Sequence, residues 1–414
     1  MLRKKLLSMA RGFIILHYRM KTTTHKSAEP REPILDVYEL DDDWSEEQKT
    51  LIRQVRRFVD QEILPIMREH HTQGTFPVQL LPGIARLGIL EAVASGDIDP
   101  ITYGLAMREL ERGGSEIRSL ASVQGSLVMS AISMFGSAEQ KKIWLEPLGK
   151  LESIGCFGLT ESDFGSNPSG LRTRAEEHQN SYRITGSKCW ITNGTMADVA
   201  IIWAHCNNKS IRGFLVETDR KGFEARAIKG KWSFRASDTA ELFLDNVEVP
   251  KSALLPESTS VGSALACLNQ ARYGIAWGVI GAAAACIDET RRHLLGRPQF
   301  DGKPLASHQL IQSKLAWMAT DLTAMQLIAK RLGELKRDGR EHSHHVSLAK
   351  MNNCRKALEI SRCCRELLGA SGIHDEHHVG RHMVNLETVV TYEGTEHIHS
   401  LVLGHYMTGI RAFS

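Results

Sequence analysis

The sequence predicts an α+β fold in three consecutive parts: a helical N-terminal domain over 36–152, a compact β domain over 153–255 and a C-terminal four-helix bundle over 256–414. Two changes of hydrophobic period carry this expectation. From Trp44 to about residue 150 apolar residues recur at helical spacing, and from Ile154 they gather in short β-type runs between turn residues. Helical spacing returns at Val261. A chain of 414 residues is long enough for several packed layers. Its formal net charge is +3 with no long single-sign run, which speaks against nucleic acid as a partner. The sequence contains no apolar run of the roughly 20 residues that a membrane span needs. Its eight cysteines show no metal-type spacing and read as reduced thiols.

Residues 1–35 stand outside the fold prediction. They carry Arg3, Lys4, Lys5, Arg11, Arg19, Lys21 and Lys26, and the first acid is Glu29. That is either a mitochondrial presequence or a disordered tail from an over-extended start with Met20 as the true initiator. The protein is accordingly expected in the mitochondrial matrix if eukaryotic and in the cytoplasm if bacterial.

In the N-terminal domain, Trp44-Ser45-Glu46-Glu47 opens a helix with Leu51, Ile52, Val55, Phe58, Val59 and Ile63 on one face. Further helices are expected over 77–88, 101–113, 117–135 and 137–149, broken by Gly and Pro. Glu111 and Arg118 are seven apart, but Gly113-Gly114 between them argues against one continuous helix. Composition alone places both charges on the surface.

The β domain is expected to hold seven or eight strands, among them 154–159, 182–185, 199–203, 213–216 and 242–244. No GxGxxG follows a strand and opens a helix, so a Rossmann nucleotide site is not supported. Two polar loop segments stand out: Phe157-Gly158-Leu159-Thr160-Glu161-Ser162-Asp163-Phe164-Gly165-Ser166, and Cys189-Trp190-Ile191-Thr192-Asn193.

In the C-terminal part, Gly274, Gly278 and Gly281 to Ala285 form a small-residue face suited to close helix approach. Pro298, in Arg297-Pro298-Gln299-Phe300, would strain a helix passing through it. Gly369, in Leu367-Leu368-Gly369-Ala370-Ser371-Gly372, suits a helix C-terminus. His374-Asp375-Glu376-His377-His378, with His382 beyond, imitates a zinc motif but lacks its context, and no metal is expected. Last comes Tyr392-Glu393-Gly394-Thr395. It sets one carboxylate on a loop whose Thr395 can cap a helix carrying Ile398, Leu401, Val402, Tyr406 and Ile410. The free N–H groups of such a helix start suit an anionic ligand, and Gly394 would let a ligand come close to the backbone.

The segment TYEGT followed by IHSLVLGHYMTGIRAF resembles the C-terminal signature of the acyl-CoA dehydrogenases, and within them the glutaryl-CoA type. The resemblance runs from about Trp44 to Phe413, with several motifs in family order. It implies an FAD-dependent enzyme in which Glu393 removes the proton α to a thioester. Phe157, Leu159, Thr160, Ser166, Trp190, Ile191 and Thr192 would line the flavin, Trp190 packing beside the ring and the two threonines hydrogen-bonding it. Arg118 and Ser119 would hold the distal carboxylate of the substrate and Glu111 would assist proton movement. Ser166, Asn269, Arg272, Tyr392, Gly394 and Phe413 would meet the acyl-CoA elsewhere.

By the same resemblance Arg297, Phe300 and Gln309 would grip the FAD of a neighbouring subunit. Glu366, Leu368, Gly369, Ala370, Thr395, Glu396 and His397 complete the cofactor set. A homotetramer, an electron-transfer flavoprotein partner and conversion of glutaryl-CoA to crotonyl-CoA and CO2 are the implied assembly and reaction. The chain departs from the family pattern at the 94–100 loop, which is about two residues short, and at Ser162, Asn167, Pro298 and Ala370. These departures leave open a dehydrogenase of another short-chain or dicarboxylyl acyl-CoA that does not decarboxylate. A non-catalytic flavoprotein of the same fold is the other alternative, against which the retained Glu393 and the lack of a basic cluster argue.

Overall fold

Ser45 and Gln48 start the first helix of the computed structural model through a reciprocal capping box, with 3.0 and 3.2 Å bonds. The model describes residues 35–412 apart from Asn208. The presequence reading and Phe413 therefore lie outside the described residues. Helix α1 (Glu46–Phe58) continues through a π-helical turn into α2 (Leu64–Gln73). After the short α3 (Leu81–Arg86) and α4 (Ile89–Ser95), α5 (Pro100–Gly113) begins on Asp99, whose carboxylate accepts from Thr102 N–H at 2.9 Å. Gly114 interrupts the chain before α6 (Ser115–Ser122), as the Gly113-Gly114 pair anticipated.

The single helix expected over 117–135 is instead α6, a π-helical stretch Val123–Met129 and α7 (Ser130–Phe135). Within that stretch Gln124 faces the sheet. Its amide donates to the Leu148 and Ser153 carbonyls at 2.9 and 2.8 Å and accepts from Gly155 N–H at 2.8 Å. Helix α8 (Ala138–Gly149) then leads into the sheet.

The seven-stranded sheet comprises β1 (Gly155–Gly158), β2 (Arg174–Glu177), β3 (Ser181–Thr192), β4 (Val199–Cys206), β5 (Ser210–Glu217), β6 (Phe223–Ala227) and β7 (Thr239–Pro250). Its order is β1-β4-β2-β3-β7-β6, with β5 paired to β4. The buried runs of β1, β4 and β5 were visible as apolar sequence; the largely exposed β2 and β6 were not.

The C-terminal helices are α9 (Val261–Gly296), α10 (Gln309–Arg337), α11 (Ser343–Leu367), α12 (His378–Thr391) and α13 (Glu396–Thr408). Helices α9, α10, α11 and α12 share one core with α1, α5 and α6. Gly281 permits the closest approach: a Cβ there would stand 1.8 Å from the Arg108 carbonyl oxygen of α5. Helix α9 ends before Pro298, which enters a two-residue hairpin strand. No single helix among the described residues is long and apolar enough to cross a membrane. In the zinc-like stretch, His377 Nδ1 and His378 Nε2 lie 2.8 and 3.0 Å from the Glu289 carboxylate, and His382 is buried in the core.

A candidate active site on the Tyr392–Thr395 turn

Helix α12 stops at Thr391, and Thr395 caps α13 by accepting from Ile398 N–H at 3.3 Å. Between them the chain turns through Glu393 at φ 56° and Gly394 at φ 91°. A left-handed non-glycine residue costs on the order of 1–2 kcal/mol, so the surroundings must hold Glu393 there. Arg272 of α9 donates from Nε to the Glu393 carbonyl at 2.6 Å. Lys350 of α11 donates to the Tyr392 and Gly394 carbonyls at 2.9 and 2.8 Å.

The Glu393 residue is partly exposed as a whole, but its Oε2 is buried and has no hydrogen-bond partner among the described residues. Loss of water raises its carboxyl pKa, against the pull of the Arg272, Lys350 and Arg118 charges. A buried carboxylate of raised basicity is suited to accept a proton. Two of the expected acyl-CoA contacts also have partners within the chain here. Arg272, read as an acyl-CoA contact, bonds the Glu393 carbonyl and, from Nη1, Asn269 Oδ1 at 3.2 Å. At Gly394 the left-handed backbone, with His399 Nε2 3.0 Å from where a Cβ would sit, favours glycine.

Next to this turn lies a buried charged group. Composition placed Glu111 and Arg118 on the surface, yet they are 0% and 1% exposed. Arg118 Nε donates to Glu111 Oε2 at 2.6 Å, and Ser115 Oγ donates to Glu111 Oε1 at 2.7 Å. Arg118 Nη2 donates to the Tyr392 hydroxyl, which brings the group to the residue beside Glu393. Nη1 of the same fork has no partner among the described residues, and Ser119 is buried beside it in sequence. The ion pair keeps Arg118 charged despite its burial.

Gly278 of α9 makes room for the pair, since a Cβ there would stand 2.1 Å from Glu111 Oε2 and 3.1 Å from Arg118 Nε. Gly278→Ala is expected to destabilise the fold by about 1–3 kcal/mol through this clash. Urea unfolding of the loaded protein reads that loss; an unchanged midpoint would mean that the pair moves aside freely.

A third group forms on the sheet. The β3–β7 register shifts between Lys188 and Ile191, and this bulge turns Trp190 outward at φ 63° and 60% exposure. Cys189 N–H donates to the Thr160 carbonyl at 2.9 Å, joining the two polar segments singled out in the sequence. Thr160 and Thr192 are partly exposed, and neither hydroxyl makes a hydrogen bond among the described residues. An exposed indole flanked by free hydroxyls fits a flat ring with a polar edge. Phe157, Leu159 and Ile191 are buried, while Ser166 and Asn167 are exposed on the adjoining loop. Glu161 holds that loop in shape: it accepts from Arg172 N–H at 2.6 Å, Thr173 N–H at 2.9 Å and Lys188 Nζ at 2.9 Å.

The remaining predicted residues make no hydrogen bond to Glu393 among the described residues. Arg297, Phe300 and Gln309 are exposed, Phe300 at 75%. Lys314 of α10 pairs with Glu366 of α11 at 2.7 Å. Leu368 is buried, Gly369 turns left-handed at φ 60° after α11, and Ala370 is exposed. Glu396 pairs with Arg355, and His397 is exposed. A cavity of about 580 Å³ lies at this end, lined by Glu359, Arg362, Cys363, Arg365, Glu366 and Met383, and does not include Glu393.

Sequence reasoning missed Lys350 and His399, both buried beside the turn. A signal for the first was present: Lys350 shares a helical face with Val346, Cys354, Ala357 and Ser361, where a solvated lysine would be out of place.

Three family models match the chain in order: acyl-CoA dehydrogenase, N-terminal domain, over residues 45–152; middle domain over 156–247; and C-terminal domain over 261–407. A glutaryl-CoA dehydrogenase from Mycobacterium smegmatis, solved with FADH2, superposes with a TM-score of 0.89 at 44% identity, covering 92% of this chain and 99% of that one. Butyryl-CoA dehydrogenase from Megasphaera elsdenii superposes with a TM-score of 0.84 at 29% identity, over 88% and 98% of the two chains. The human mitochondrial short-chain specific acyl-CoA dehydrogenase is 31% identical over 378 residues, 89% of this chain and 92% of the relative.

Proposed function

Because the chain belongs to the acyl-CoA dehydrogenase family, whose cofactor is FAD, we propose that it oxidises glutaryl-CoA and decarboxylates it to crotonyl-CoA and CO2. The observation that carries the reading is the Arg118–Glu111–Tyr392 group buried beside Glu393. A plain fatty acyl chain brings no charge that would need a buried guanidinium, whereas a dicarboxylyl chain does.

In this reading Trp190, Thr160 and Thr192 hold the flavin ring. When bound, FAD accepts the hydride equivalent from the substrate β-carbon. Glu393 takes the α-proton, whose acidity rises as the thioester carbonyl is hydrogen-bonded. Arg118, with Ser119, holds the distal carboxylate and keeps the chain extended toward Glu393. Once the α,β double bond is formed, the bond from the γ-carbon to the distal carboxylate breaks. CO2 leaves, the electron pair spreads into the thioester, and a proton bonds to the γ-carbon.

Arg297, Phe300 and Gln309, exposed in one chain, would contact the FAD of a neighbouring copy in a tetramer, and an electron-transfer flavoprotein would reoxidise the enzyme. A second reading, a short-chain dehydrogenase, is supported by the 31% identity to the human short-chain enzyme. Mass spectrometry of the thioester products formed from glutaryl-CoA with an artificial electron acceptor separates the two. Crotonyl-CoA supports the proposal. Release of glutaconyl-CoA, which keeps the distal carboxylate, or turnover of butyryl-CoA without turnover of glutaryl-CoA, overturns it.

A further inference from the structure

We propose that Lys350 is a positioning residue for the reaction: it spans the two carbonyls flanking Glu393 and fixes the left-handed turn that presents the carboxylate. The geometry is unusual for a lysine. Its side chain is 1% exposed on the buried face of α11, and its ammonium donates to Tyr392 O at 2.9 Å and Gly394 O at 2.8 Å. The carbonyl between them, that of Glu393, is taken by Arg272 at 2.6 Å. Three consecutive carbonyls thus end on two cations from two helices. Glu393 sits at φ 56° and Gly394 at φ 91°, so neither residue has helical backbone geometry, and the turn depends on these side-chain donors.

Burying an ammonium costs several kcal/mol unless its donors are used. Lys350 meets that cost with two backbone acceptors, and among the described residues it bonds no carboxylate. Burial pulls its pKa down to about 8, so its charge persists at neutral pH. The charge has a second effect, because it opposes the desolvation that raises the Glu393 pKa. Lys350 therefore sets both the place of the carboxylate and how far its basicity rises. The other charged or titratable groups acting there are Arg272 and Cys267 on α9, Arg118 and Glu111 on the N-terminal helices, Cys354 on α11, Tyr392 on the turn and His399 on α13.

The catalytic half of this inference rests on Glu393 being the base; the structural half does not. The test uses the FAD-loaded enzyme with Lys350→Met, Lys350→Gln and Lys350→Arg. Hydrogen–deuterium exchange of a peptide covering residues 390–398 reads the turn directly. In Lys350→Met it is expected to speed up at least about tenfold, with peptides of the β sheet unchanged. Lys350→Gln keeps a donor without the charge. It is expected to retain more protection of the turn, while the acid limb of its kcat/KM profile moves to higher pH, as in Lys350→Met. Lys350→Arg should bring the acid limb back toward wild type.

Should Lys350→Met fail to fold, the Gln and Arg variants carry the test. Wild-type exchange in the turn of Lys350→Met, or exchange raised equally throughout the molecule, overturns the positioning role. An unmoved acid limb in both neutral variants overturns the electrostatic part. If Glu393→Gln retains turnover, the base assignment fails on its own, and the exchange result still decides the clamp.

Discussion

Glu393→Gln is expected to lower turnover by at least about 10²-fold, the low end of what a positioned general base contributes, while FAD content stays at the wild-type level. Gln keeps the size and nearly the shape of the side chain, so the Arg272 and Lys350 bonds, which go to backbone carbonyls, have no reason to change. Only the proton acceptor is lost.

The pH dependence gives an independent check. Burial raises the Glu393 pKa above the ordinary carboxylate value, and the base works only when deprotonated. Activity should therefore be full above the raised pKa and fall as pH drops through it, at higher pH than for a solvated glutamate. Stopped-flow bleaching of the bound flavin by substrate measures both effects. Near-normal bleaching in Glu393→Gln would move the base elsewhere.

How the site could be read from sequence depends on which of its interactions were local. The Thr395 cap and the break at Gly113-Gly114 come from neighbours in the chain, and both are where the sequence placed them. The π-helical stretch Val123–Met129 was not legible, because its cause is distant: Gln124 must reach Leu148, Ser153 and Gly155. The burial of Arg118 and Glu111 failed on composition for a related reason. Charged residues are seldom buried unless paired, and the pair spans a helix break, with its third member, Tyr392, 274 residues away. Lys350 was not legible either, since its partners are backbone carbonyls that no residue type announces.

The same buried pair shapes the test of substrate choice. Arg118→Gln removes the one permanent cation of the Arg118–Glu111–Tyr392 group, and breaking a buried charge pair typically costs about 3–5 kcal/mol, or roughly 10²–10⁴ in kcat/KM. On glutaryl-CoA that loss is expected in full, because the distal carboxylate would enter a desolvated pocket with no counter-charge. Butyryl-CoA carries no charge there and should lose far less.

The structure adds a complication, however, since Arg118→Gln also strands the Glu111 carboxylate, which is 0% exposed and keeps only its Ser115 bond. Any loss from that source would fall on both substrates alike. The double variant Arg118→Gln with Glu111→Gln removes it by neutralising both partners, and replacing both members of a buried pair is far better tolerated than removing one. It should recover stability and butyryl-CoA turnover relative to the single variant yet stay poor on glutaryl-CoA. Measuring kcat/KM for both thioesters in wild type and the two variants gives the comparison. Equal losses on both substrates in the double variant would show that the guanidinium supports the fold and does not select the dicarboxylyl substrate.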